Sequence, residues 1–137
     1  MGRVINPDSA GKARIRLSKE IVLALRELMR QQQTDDLSRN LAAFIALALL
    51  EIHKTVDQSV LAWEKRGYWV KADRFRVEWE WTATLGEKMR CAVMDDDWGA
   101  VASTAAMIAQ KLMKVQVASH NRLGEPWLNA WQRLKGE

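Results

Sequence analysis

From Lys12 the apolar residues recur at intervals of three and four. Ile15, Leu17, Ile21, Val22, Leu25, Leu28 and Met29 form one stripe, which predicts an amphipathic helix from about Lys12 to Gln33. The run Asn6-Pro7-Asp8-Ser9-Ala10-Gly11 before it is rich in turn formers, so residues 1–11 read as an N-terminal arm. Three glutamines, Gln31 to Gln33, end the stripe. Thr34, Asp35 and Asp36 then offer capping oxygens and negative charge to a second helix. Its stripe Leu37, Leu41, Phe44, Ile45, Ala48, Ile52, Val56, Val60 and Trp63 holds one face for about thirty residues. Between Leu41 and Ile52 the other faces turn apolar as well, the pattern of a helix surrounded by others.

Gly67, after Lys65 and Arg66, is the expected stop. A third helix, from about Trp69 to Met94, carries Ala72, Phe75, Trp79, Thr82, Met89 and Val93 on one stripe. Arg74 with Glu78 and Arg76 with Glu80 are spaced to pair on its flanks. Asp95-Asp96-Asp97 reads as a loop and N-cap. After it Trp98, Val101, Ala105, Ile108, Leu112 and Val115 mark a fourth helix fading near Ser119 to Asn121. Pro126 opens a short fifth helix with Trp127, Trp131 and Leu134 on one side. Short connections join adjacent helix ends. The expected fold is therefore all-α: a four-helix up-down bundle over residues 12–137, with a short C-terminal fifth helix and a basic N-terminal arm.

The chain has 137 residues, 48% of them hydrophobic, enough for one core without a disulfide. Cys91, the single cysteine, lies in an apolar-periodic stretch and is expected in the core. The first thirty residues lack the layout of a signal peptide, and the longest apolar run, Leu41 to Leu50, is about half a membrane span. A soluble cytoplasmic protein with no membrane partner is expected. Residues 1–30 hold seven Lys/Arg against three acids and so account for the whole net charge of +4. A polyanion is a reasonable partner for that segment.

Motifs of catalysis are missing. No Glu-x-x-His occurs, His53 has Asp57 one turn on as a simple partner, and Gly11-Lys12 lacks the rest of a phosphate loop. No catalytic, metal-binding or cofactor-binding residue is expected. Met29, Met89, Met107 and Met113 suggest at most a pocket between helices, with core filling the simpler account. Among seven tryptophans, Trp63, Trp79 and Trp98 fall on core stripes. Trp63, Tyr68, Trp69 and Phe75 also interleave with Lys65, Arg66, Lys71, Arg74 and Arg76, a mixture suited to stacking bases and neutralising phosphates. Glu64, Asp73, Glu78 and Glu80 in the same stretch oppose that reading.

The partner-binding candidates are therefore Arg3, Lys12, Arg14, Arg16 and Lys19, and removal of residues 1–17 is expected to spare the fold. With Gly2-Arg3-Val4-Ile5-Asn6, Gly11-Lys12 and the stretch from Trp63-Glu64-Lys65-Arg66-Gly67-Tyr68-Trp69 through Val77-Glu78-Trp79-Glu80-Trp81, the chain resembles an uncharacterised bacterial helical protein family. That family has no assigned activity, so the resemblance, which covers most of the chain, carries no role onto any residue. The expected function is non-catalytic: a binding or scaffold protein for another protein or a nucleoprotein, engaged through the basic N-terminal segment. The alternatives are direct nucleic-acid binding by the arm, a self-associating bundle in which the Ala-rich fourth helix pairs with its copy in a homodimer, and an enzyme or small-molecule carrier.

Overall fold

The computed structural model describes residues 7–118 and 123–136, and all regular structure among them is helical. Six helices follow in order: α1 (Pro7–Arg30), α2 (Asp36–Lys65), α3 (Trp69–Trp79), α4 (Trp81–Met94), α5 (Trp98–Lys111) and α6 (Ala130–Gly136). No helix among them is long and apolar enough to cross a membrane.

Helix α2 is the central element. Its apolar middle predicts enclosure, and α1, α3, α4 and α6 all pack on it, while α5 lies mainly on α4. Ile21, Leu41, Ile45, Leu49, Ile52, Met89 and Ile108 are fully buried along this axis. Each contributes about 1.5–3 kcal/mol of transfer free energy. Asp35 caps α2 by accepting from the Ser38 backbone N–H at 3.0 Å, and that bond holds its carboxyl below the usual carboxylate range.

Several boundaries differ from the sequence reading. The first helix begins at Pro7, not Lys12: proline has no N–H to leave unbonded and its fixed φ suits a first helical turn. Only residues 1–6, outside the described residues, remain for an arm. The predicted third helix is two, α3 and α4, separated at Glu80. There the Thr82 hydroxyl donates to the Trp79 carbonyl at 2.7 Å and the Ala83 N–H to the Glu80 carbonyl at 3.2 Å, tightening the turn. The fourth predicted helix, α5, stops at Lys111. Val115, Gln116 and Val117 then alternate half-buried, exposed, half-buried, the period of extended chain that β-branched residues favour. The last helix starts at Ala130, because Asn129 adopts a positive φ of 62° and the preceding residues turn.

The ends of α2 and α4 are Schellman motifs. At Gly67 (φ 82°) the Gly67 N–H donates to Glu64 O and the Tyr68 N–H to Trp63 O. Asp96 (φ 55°) plays the same part after α4: its N–H donates to Val93 O, and that of Asp97 to Ala92 O. Asp97 then caps α5 by accepting from the Ala100 N–H at 3.1 Å. All three aspartates of the run are thus placed by the turn itself.

Candidate functional site

Helix α1 buries one apolar face, although Ile15 and Met29 stand exposed. Ala10, Leu17, Ile21, Ala24 and Leu25 are buried. On the opposite face Lys12, Arg16, Lys19, Arg26 and Arg30 are exposed and recur at intervals of four, three, seven and four. At about 1.5 Å per residue they form a line of about 27 Å. Arg16 stands 3.9 Å from Glu20 and Arg30 bonds Glu27 at 2.7 Å, whereas Lys12, Lys19 and Arg26 have no ion pair among the described residues. Glu20 is nearly buried. That desolvation raises its carboxyl above the usual range, against the pull of Arg16.

The structure therefore sorts the five candidates. Arg3 lies outside the described residues. Lys12, Arg16 and Lys19 share the outer face. Arg14 does not: three residues before Leu17 and seven before Ile21, it belongs to the inward stripe. Its guanidinium donates to Thr55 Oγ1 at 3.3 Å and lies 4.7 Å from the Phe75 ring centre and 5.7 Å from that of Trp79. Desolvation lowers its pKa, opposed by the nearby Glu78 carboxylate. Arg26 and Arg30 extend the line beyond the candidates. Both were counted in the basic balance of residues 1–30, but not among the partner-binding candidates.

Arg14 anchors an aromatic row. Trp63 meets Phe75 edge to face at 4.8 Å, Phe75 lies 6.3 Å from Trp79, and Trp79 stacks on Trp81 at 6.2 Å. Lys71 Nζ sits 4.6 Å above Trp63. These rings and Trp98 are half-buried against the core, as their stripes require. Trp127 is buried rather than exposed, since Ala130 and Leu134 carry it onto α2, where the Trp131 N–H donates to Asn40 Oδ1 at 2.9 Å. Trp69 is different: it is 64% exposed, beside Tyr68 at 54% and Val70 at 66%.

The flanking charges pair differently from the sequence expectation. Arg76 turns back to Glu64 on α2 at 3.0 Å and to Asp73 at 3.4 Å instead of pairing with Glu80. Lys65, Arg66 and Arg74 are exposed, without an ion pair among the described residues. The α2–α3 corner thus collects open aromatic surface and cations. At the other end of α2 the two turns bring together Asp35, Asp36, Asp95, Asp96 and Asp97, with Arg39 bridging Asp36 and Asp96 at 3.6 Å each.

Two other expectations change. Cys91 is exposed, because it falls on the side of α4 opposite Leu85, Met89 and Ala92; its Sγ lies 3.7 Å from Glu87 Oε1. The four methionines do not converge: Met89 is fully buried, while Met29 and Met113 are 73% and 78% exposed. His53 Nε2 lies 3.5 Å from Asp57 Oδ2, the neighbour that its spacing suggested. No group of three or more His, Cys, Asp or Glu placed to hold a metal ion occurs among the described residues. Compared with known proteins, the chain matches no family model, no curated protein and no solved structure at a significant level.

Proposed function

We propose that this protein works by association, as a non-catalytic binding or scaffold protein of the cytoplasm that holds an acidic protein or a nucleoprotein against the outer face of α1. The observation that carries the reading is the straight line Lys12, Arg16, Lys19, Arg26 and Arg30, held rigid because the opposite face of the same helix is core. A fixed row of cations steers an acidic partner and loses little conformational entropy on binding. The scaffold beneath is read as a four-rod up-down bundle, with α3 and α4 counted as one kinked rod and α6 laid across α2.

Retention on immobilised heparin, a polyanion without sequence, tests this reading. The triple variant Lys12→Glu/Arg16→Glu/Lys19→Glu is expected to elute at much lower salt than the wild type, while Lys54→Glu on α2 leaves elution nearly unchanged. Equal elution of the triple variant and the wild type would dispose of the reading.

A second reading, self-association, has one observation in its favour. The open side of α5 presents Gly99, Ala102 and Ala106 without a charge between them, beside a groove of about 540 Å³ against Leu28 and Met29 of α1. A homodimer across this face predicts that Ala106→Glu shifts a sedimenting dimer to monomer. A wild-type monomer at all concentrations rejects it.

A further inference from the structure

The α2–α3 corner offers a surface that the line of cations on α1 does not explain. Leu61, Tyr68, Trp69, Val70 and Val77 are each more than half exposed there. The other described tryptophans are half-buried or buried, so Trp69 alone among them holds its ring in water. Its position is rigid. The Schellman turn at Gly67 fixes the chain on one side, and α3 begins at Trp69 on the other.

Cations flank the turn that carries the ring on both sides, with Asp73 one helical turn beyond Trp69. Lys65 and Arg66 precede the turn, and Lys71 and Arg74 follow it on α3. Two of the four acids that spoke against a basic surface are partly offset, since Arg76 lies against both Glu64 and Asp73. A third, Glu78, is close enough to Arg14 to act on its charge. Tyr68 stands at the N-cap of α3 without a side-chain cap and no acid occupies the first turn, so the helix end adds partial positive charge beside the same rings.

From this juxtaposition we propose that the corner binds single-stranded nucleic acid, with bases stacking on Trp69 and Tyr68 and phosphates meeting Lys65, Arg66 and Arg74. The proposal rests on the association reading above and names its partner class. An exposed flat ring between cations matches a ligand with a flat apolar face and an anion at each unit, and only unpaired bases present that face. A lipid surface fits less well. Asp73 lies between Trp69 and Val77 on the outer face of α3 and interrupts the apolar patch with a carboxylate.

The test is fluorescence anisotropy of a labelled oligothymidylate titrated with the full chain, with a duplex of matched length and vesicles containing phosphatidylserine as comparators. The wild type is expected to prefer the single strand, with affinity falling as salt rises. Trp69→Ala should weaken binding by about 5- to 150-fold, the loss that one base stack accounts for, and Trp69→Phe should restore most of it. Because Trp69 is exposed, thermal melting should be unchanged in both variants, which separates lost contact from lost fold. Undiminished binding by Trp69→Ala, an equal or greater affinity for duplex, or capture by vesicles in place of the oligonucleotide would each overturn the proposal. Heparin retention that depends on Lys12, Arg16 and Lys19 would leave the broader reading standing in any of those cases. Loss of both activities would remove the two together.

Discussion

Arg14 and Glu20, six residues apart on α1, have opposite relations to the fold. Arg14 is part of the packing: its stem and guanidinium cover Phe75 and Trp79 and reach Thr55 on α2, so it ties three helices. Arg14→Ala is expected to lower stability by about 1–3 kcal/mol in urea denaturation, whereas Arg16→Ala, at an exposed site, should stay within about 0.5 kcal/mol. Equal effects would mean that the cation–ring contacts contribute nothing. Glu20 is a buried carboxylate whose pKa the fold raises, so the fold favours its protonated form. Its favourable contribution is complete below the ordinary carboxylate range and is lost as pH rises through the raised value; at neutral pH the ionised group therefore costs stability. Glu20→Gln, neutral throughout, should be more stable than the wild type at neutral pH. The advantage should close in acid, where both side chains are uncharged. A wild type more stable at neutral pH would show that Arg16 outweighs desolvation.

At the scale of elements, packing between α2 and α4 depends on a glycine. A Cβ on Gly86 would stand 3.1 Å from the Leu49 Cβ and 3.1 Å from Leu50 Cδ2, so the two helices approach over a hydrogen. Gly86→Leu should destabilise by about 1–3 kcal/mol or more through overpacking, despite leucine's better helix propensity. A rise in melting temperature would refute that close approach. The sequence could not have located this contact, which depends on which helix faces which. What periodicity did convey was strong where one stripe ran unbroken. The enclosed middle of α2, the Gly67 stop and the Asp35 and Asp97 caps were legible because each is written in adjacent residues. It failed at Glu80, where a threonine hydroxyl competes for a backbone carbonyl, and beyond Lys111, where Val115 and Val117 prefer extended chain. The same limit applied to the site. The spacing of Lys12, Arg16 and Lys19 was visible, and so was that of Arg14 from Leu17 and Ile21, but the rings of Phe75 and Trp79 that Arg14 meets depend on which helix packs beside α1.

Across the whole molecule, charge is arranged along α2. Five aspartates occupy the turns at its N-terminal end, while Lys65, Arg66, Lys71 and Arg74 lie at its C-terminal end, about 45 Å away at helical rise. The N-terminal half of α1 lies at that basic end too, since Arg14 meets Thr55 and Phe75, so its exposed Lys12 and Arg16 add to the same field. This geometry separates an arm from a structural helix in a way that two deletions can measure. Removing residues 1–6 takes Arg3 but no described part of α1; melting should be unchanged and any lost affinity belongs to the arm. Removing residues 1–17 takes Ala10, Arg14 and Leu17 as well, so it uncovers the face of α2 beneath α1 and strips the aromatic row of its cation. That second deletion should melt at a much lower temperature or lose its cooperative transition, since a buried leucine alone is worth about 2–5 kcal/mol on truncation, a large share of the stability of a domain this size. Intact melting after the longer deletion would mean that α1 before Ser18 is an appendage, and the line of cations would then lack the rigid backing on which its proposed role depends.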